Sequence, residues 1–179
     1  MNRVRRALRR DDSGAAAVEF ALLVPVFLLV AFGLIDYGLF FADTQAVRQG
    51  ARDGARQGSI GGNSFGTNTS CGMSPSGSTD IQALICQTKS AIGISGPVAV
   101  KVAFKTPGTD TDSTYTQGND LKLCVVGERK SVTGLTPYPK SGLMQTTVRI
   151  RIERATTSPV ETAGSGSNFG STVDWSFCP

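Results

Sequence analysis

A long apolar run near the N-terminus constrains this chain more than any other feature. It extends from Ala15 to Ala42, and its centre, residues 20–35, contains sixteen residues without a charge. As a helix, its twenty-eight residues would extend about 42 Å at about 1.5 Å per residue. Since the hydrocarbon core of a bilayer is about 30 Å thick, the run predicts a helix that crosses a membrane.

The distribution of charge indicates the orientation of this helix. The net charge is +4, but five of the eighteen basic residues lie in the first ten positions: Arg3, Arg5, Arg6, Arg9 and Arg10. Residues 15–179 contain thirteen basic and twelve acidic residues, a net charge of +1. An arginine cluster before an apolar run is typical of a cytoplasmic flank, and the nearly neutral remainder argues against a nucleic-acid partner.

Two carboxylates and a proline interrupt the run. Glu19 is expected near the inner interface, and Asp36 at the outer interface beside Tyr37, where water would solvate it. Pro25 has no N–H to donate to the carbonyl of Ala21, which predicts a kink or a loosened turn.

The start of the run contains the string Ser-Gly-Ala-Ala-Ala-Val-Glu-Phe, residues 13–20. This string resembles a type IV prepilin junction of the Flp branch, which has Glu and an aromatic residue at the fifth and sixth mature positions, as Glu19 and Phe20 are here. Conventional type IV pilins have Phe where this chain has Ala15. The resemblance implies that a prepilin peptidase cuts after Gly14 and leaves an α-amino group on Ala15. Glu19 would lie one helical turn from this amino group or from that of a neighbouring subunit. Alternatively, Gly14 is a loop residue and Glu19 an interfacial charge.

A row of small residues follows the apolar run. It recurs every four positions, at Ala42, Ala46, Gly50, Gly54 and Gly58. Because glycine inside a helix costs about 1 kcal/mol relative to alanine, the row predicts close packing against another helix. Two partners remain open, a neighbouring subunit or this chain's own domain, with Gly58 as a C-cap. The repeated Ala-Arg-x-Gly in this segment is similar to that of TadE-like proteins, the minor pseudopilins of Flp pilus systems.

The sequence after the row predicts a small α+β domain. Residues 1–14 form a basic leader, 15–58 a helix with a membrane part (15–42) and a stem (43–58), 59–78 a flexible connector, and 79–179 the extracytoplasmic domain. A short helix is expected from Ser78 or Thr79 to about Ala91. Apolar alternation predicts at least three strands of an antiparallel sheet, at 98–104, 121–125 and 144–152.

Four cysteines lie beyond the membrane run, which favours disulfides in an oxidising compartment. We prefer Cys71 with Cys86 and Cys124 with Cys178, although the sequence leaves three connectivities open. A zinc site is disfavoured because the chain has no histidine and no CxxC pair.

No catalytic chemistry is indicated. The sequence has no GxxxxGK[ST] phosphate loop, no GxSxG and no histidine to act as a base, so we expect neither an enzyme nor a cofactor or metal. Asp110, Asp112 and Asp120 lack the pattern of an EF-hand and are interpreted as a solvated loop.

The resemblance implies a minor pilin-like subunit of a bacterial cytoplasmic (inner) membrane, single-pass with its N-terminus cytoplasmic, and incorporated in a pilus or assisting its assembly. Its implied partners are the prepilin peptidase, other pilin-like subunits, the pilus assembly platform and membrane lipid. A TadF-like or TadG-like role is also open. Two different hypotheses remain: a membrane-tethered binding domain that retains its leader, and a secreted domain cut near Ala42, although Phe40 fits the minus-three position poorly.

Overall fold

The computed structural model describes residues 12–61, 69–134, 137–154, 163–170 and 172–178, which form an α+β structure. Helix α1, Asp12–Ile60, has 49 residues and contains Pro25. At about 1.5 Å per residue it is about 73 Å long. Helical structure continues through Pro25 without a break.

The second helix, α2, is Thr79–Ile92. The side chain of Ser78 caps its start by accepting a hydrogen bond from the N–H of Ile81. Gly93 ends it with a left-handed backbone (φ 63°), and the N–H of Gly93 donates to the carbonyl of Lys89. The short helix predicted from apolar spacing is therefore confirmed, with its C-terminus one residue further along.

Four strands form one antiparallel sheet in the order β3-β2-β1-β4. Their bounds are Val98–Lys105 (β1), Asp120–Glu128 (β2), Leu143–Arg151 (β3) and Gly164–Ser167 (β4). The first three confirm the predicted strands. The fourth was not predicted, because its Gly-Ser sequence has no apolar alternation. Its Gly164 lies so close to the backbone of Ser76 that a Cβ atom at this position would clash with the Ser76 carbonyl oxygen.

One face of the sheet packs against both helices and forms the core. It contributes alternate residues of β1 and β2, all at most 1% exposed: Val98, Val100, Val102, Phe104, Leu121, Leu123 and Val125. The C-terminal half of α1 contributes Val47, Ala51 and Ala55, and α2 contributes Ile81, Leu84 and Ile85.

The sheet lies alongside α1, and contacts at its two ends define how much of the helix it covers. At one end, the Tyr115 hydroxyl donates to the carbonyl of Gly58 (2.9 Å). At the other end, the β2–β3 connection contacts Asp36 and Tyr37. The domain therefore covers α1 from Asp36 to its C-terminus. We call residues 14–35, which project beyond the domain, the free half.

Candidate functional site

The free half of α1 is apolar and uncovered. Apart from the half-buried Val24, its large hydrophobic side chains are 39–71% exposed, with Leu22 and Leu34 the most exposed. Water is an unfavourable solvent for so much contiguous apolar surface. By length and composition, α1 is the one helix in the described part of the chain that qualifies as a membrane span. This fits a single-pass membrane protein.

The residues of the prepilin-like junction all lie on the free half. Gly14, Ala15, Glu19 and Phe20 are exposed, and Phe20 is 69% exposed. Gly14 is helical rather than part of a loop, and a Cβ atom placed on it would have no neighbour within 4 Å. Glu19 makes no ion pair with any residue that the structure describes. The junction is thus open to other molecules, while cleavage after Gly14 stays a prediction.

The row of small residues has a partner within this chain. A Cβ atom on Gly50 would lie 2.5 Å from Ile92 Cγ1 and 2.8 Å from Ile92 Cα, and one on Gly54 would clash with Thr88 Oγ1. The glycines therefore let α1 approach α2 closely, as the spacing predicted. Of the two partners left open by the sequence, the structure shows this chain's own domain, because α2 covers Gly50 and Gly54.

Gly58, Ala42 and Ala46 complete the row. Gly58 is buried, and a Cβ atom there would lie 2.6 Å from Leu121 Cδ2 of β2. Gly58 also precedes the end of α1 at Ile60, so it is a packing residue rather than a C-cap. Ala46 is half-buried and Ala42 is exposed. The close packing is thus made mainly by the three glycines.

Asp36 is held by the β2–β3 connection. Its side chain is fully buried (0% exposed) and accepts hydrogen bonds from the Ser131 hydroxyl (2.7 Å), the Val132 N–H (3.1 Å) and the Thr133 hydroxyl. Ser131 Oγ accepts in turn from the N–H of Gly134. The expectation that water solvates Asp36 is wrong. Its partners are 95 to 97 residues away in sequence, so no local pattern indicated them.

Aromatic packing and an ion pair extend this contact along α1. The Tyr138 ring stacks on Phe40, with centroids 5.0 Å apart, and its hydroxyl donates to the Asp36 carbonyl (3.0 Å). The Tyr37 hydroxyl donates to the carbonyl of Pro137 (3.0 Å). Arg129 forms an ion pair with Asp43. We call the described parts of this connection, residues 129–134 and 137–142, the Asp36 loop.

The electrostatics of the Asp36 loop follow from these contacts. The hydrogen bond to Asp43 raises the pKa of the Arg129 guanidinium above its usual value, although burial opposes this. Burial, followed by the negative charge of Asp36, raises the pKa of the Tyr138 hydroxyl. Both residues are therefore held in their protonated forms, the forms that can donate to α1.

Both disulfides lie in the domain and have the connectivity that we preferred. Cys71 pairs with Cys86 (Cα atoms 5.4 Å apart) and joins the connector to α2. Cys124 pairs with Cys178 (Cα atoms 6.1 Å apart) and joins the C-terminal tail to β2.

The three aspartates considered for calcium are paired with cations of the protein. Asp110 lies 2.9 Å from Arg149 Nη1, Asp112 lies 3.0 Å from Lys105 Nζ, and Asp120 lies 2.7 Å from Arg149 Nε. Among the described residues, no group of three or more His, Cys, Asp or Glu side chains could hold a metal ion.

These features define a class of protein: a disulfide-containing α+β domain fixed to the C-terminal half of one helix whose free half is apolar enough to enter a membrane. Residues 14–56 match the family model of the TadE-like proteins, which confirms the resemblance found at the junction and in the stem. The match begins at Gly14 and includes the free half and most of the covered part of α1. No curated protein and no solved structure shows significant similarity to the chain.

Proposed function

We propose that this chain is a minor pilin-like subunit that takes part in the assembly of an Flp/Tad-type pilus. In this proposal a prepilin peptidase removes residues 1–14, and the mature chain stays in the cytoplasmic membrane, with its domain outside, until it joins other pilin-like subunits and the pilus assembly platform. The observation that carries the proposal is the TadE-like match, which starts at the residue where the peptidase would cut.

The free half of α1 supports a packing role for this subunit. Apart from Val24, its large apolar side chains are exposed, so a neighbouring helix can replace lipid against them. Because Gly50, Gly54 and Gly58 already pack within the chain, we assign subunit contacts to the free half rather than to the row of small residues. Glu19, exposed one helical turn from Ala15, is available to pair with the α-amino group of its own or a neighbouring chain.

The contacts of Asp36 argue against a secreted domain released by cleavage near Ala42. Cleavage near Ala42 would remove Asp36 and Phe40, leaving Ser131, Val132 and Thr133 without their acceptor and the Tyr138 ring without its stacking partner. A membrane-tethered binding domain that keeps its leader remains the second candidate, because all of these contacts would persist in it.

The mature N-terminus separates these functions. Mass spectrometry of the chain from cells with a Tad system should find Ala15 at the N-terminus. Finding Met1 would support the tethered domain, and finding Asp43 would exclude both membrane-retained functions.

A substitution at Gly14 tests the assigned junction with a matched control. Gly14→Leu is expected to block processing without preventing membrane insertion. Gly38→Leu is the control, because Gly38 is also helical and also has open space around its Cβ position, and it should be processed normally. Normal cleavage of Gly14→Leu would refute the junction.

A further inference from the structure

Exposed apolar side chains continue along α1 beyond Asp36, the residue that the Asp36 loop contacts. Leu39 is 37% and Phe41 is 62% exposed, although both follow Asp36. Phe41 lies about 7.5 Å beyond Asp36 along the helix axis at about 1.5 Å per residue. The distance from Glu19 to Phe41 is about 33 Å on the same scale, close to the thickness of a hydrocarbon core of about 30 Å.

This distance gives the position of the Asp36 loop relative to the hydrocarbon core of the membrane. If Glu19 lies at the inner interface, the outer boundary of the hydrocarbon falls near Phe41, and Asp36 lies below that boundary. Ser131, Val132 and Thr133 are hydrogen-bonded directly to the Asp36 side chain, so they lie at the same level. The ion pair of Arg129 with Asp43 lies above Phe41, at the level of the lipid headgroups.

The side chains of the Asp36 loop suit such a position. Val132 is a large apolar residue that is 67% exposed beside Asp36, and Pro137 is also exposed. Lys130, next to Arg129, and Lys140 are both exposed cations. Lys140 lies two residues before Gly142, whose carbonyl accepts from the Arg129 N–H, so both lysines lie near the headgroup level. Lysines at this level attract the phosphates of anionic lipids.

The backbone of the loop is shaped for this arrangement. Lys140, Ser141 and Gly142 all have positive φ angles (49°, 54° and 82°), which turn the chain back toward β3 after Pro139. A Cβ atom on Gly142 would clash with the carbonyl oxygen of Arg129, so this close return requires glycine.

We propose that the Asp36 loop is a second membrane-contacting element, which enters the outer face of the phospholipid bilayer that α1 spans. Val132 and Pro137 contact the acyl chains near the headgroups, and Lys130 and Lys140 contact lipid phosphates. The hydrogen bonds to Asp36 shield its carboxylate from lipid at that level. This inference rests on the membrane anchoring in the proposed function.

Tryptophan quenching by brominated lipid tests the proposal in the full chain. The chain is reconstituted, one copy per nanodisc, in anionic phospholipid with bromine near the headgroup end or near the terminal methyl of the acyl chains. Trp175, the only tryptophan, is first replaced by Trp175→Phe. Val132→Trp should lose emission mainly to bromine near the headgroups. Reversing the charges with Lys130→Glu and Lys140→Glu should reduce that loss.

Two control variants separate the possible outcomes. Leu28→Trp, in the free half, should be quenched more by bromine near the terminal methyl. Thr109→Trp, in the β1–β2 connection at the far end of the sheet, should not be quenched. If Leu28→Trp is quenched and Val132→Trp is not, the proposal is overturned while the anchor stands, and a protein partner becomes the candidate for Val132. If neither is quenched, the anchoring itself fails. Equal quenching of Val132→Trp and Thr109→Trp would also overturn the proposal, because the contact would not be specific to the loop.

Discussion

Replacement of Asp36 should release the Asp36 loop from α1. Asp36→Ala leaves one backbone N–H and two hydroxyls without their buried acceptor. Hydrogen bonds to charged groups contribute about 1.5–3 kcal/mol each, but the two hydroxyls can turn toward other partners. We therefore expect the free energy of opening the loop to fall by about 3 kcal/mol. The equilibrium constant for opening should then rise about a hundredfold.

Asp36→Asn is a smaller perturbation of the same contact. Its amide oxygen can still accept from the Val132 N–H, and its amide nitrogen can donate to the hydroxyl of Ser131 or Thr133. The substitution removes only the negative charge that strengthens these hydrogen bonds, which contributes about 1 kcal/mol. The equilibrium constant for opening should then rise about fivefold.

Hydrogen exchange with mass spectrometry measures this opening in the full chain in nanodiscs. The peptide that covers residues 131–134 contains the Val132 and Gly134 amides, both of which are hydrogen-bonded. Its exchange should accelerate about a hundredfold in Asp36→Ala and about fivefold in Asp36→Asn. Asp53→Ala is the control, since Asp53 is exposed on the same helix and makes no ion pair in the described structure.

Equal exchange in Asp36→Ala and Asp53→Ala would refute this reasoning. The loop would then be held by the packing of Tyr138 on Phe40 and by the ion pair of Arg129 with Asp43, and the buried carboxylate would contribute nothing to its closure.

Two further predictions concern the contacts of α1. Gly50→Ala should lower the thermal stability of the chain in detergent, followed by near-UV circular dichroism, because overpacking against the Ile92 backbone costs about 1–3 kcal/mol and exceeds the gain of about 1 kcal/mol in helix propensity. Gly38→Ala, which meets open space, should be neutral or stabilising, and the same loss in both variants would contradict the close packing of α1 on α2. Burial and the charge of Asp36 raise the pKa of Tyr138, so the protonated hydroxyl favours the folded state. The stabilising effect of the protonated hydroxyl is therefore present below the usual pKa of about 10 and is lost as the pH rises through the higher pKa of the folded state. Absorbance titration of tyrosinate should show a component above the usual range that Tyr138→Phe removes. Loss of a component within the usual range instead would contradict the assignment.

The parts of the structure that the sequence predicted are those encoded by local patterns. Alternating apolar residues identified β1, β2 and β3, and Ser78 with helical apolar spacing identified α2. The four-residue spacing of Gly50, Gly54 and Gly58 indicated a close helix contact, because such a row has little other use in a helix. It did not indicate the partner, since a helix of the same chain and one of another subunit require the same small surface.

The parts that were missed depend on long-range contacts. Strand β4 is a Gly-Ser segment that becomes a strand by pairing with β1 and by approaching Ser76 closely, and its sequence has no apolar alternation. The burial of Asp36 depends on Ser131 and Thr133, which by sequence alone belong to an ordinary polar connection. A carboxylate beside Tyr37 at the end of an apolar run is typical of an interface, and only the tertiary fold shows that a loop covers it.

The two halves of α1 differ in the surface that they offer to other molecules: the domain covers one half, and the free half is exposed. The covered half contacts the domain through Gly50, Gly54 and Gly58 and is held again at Asp36, about 33 Å away from Gly58 along the helix at about 1.5 Å per residue. Two such separated attachments resist tilting of the domain relative to the helix, so a rotation of the free half should rotate the domain with it. In a filament or an assembly complex, the contacts that the free half makes would thereby also determine which face of the domain points outward.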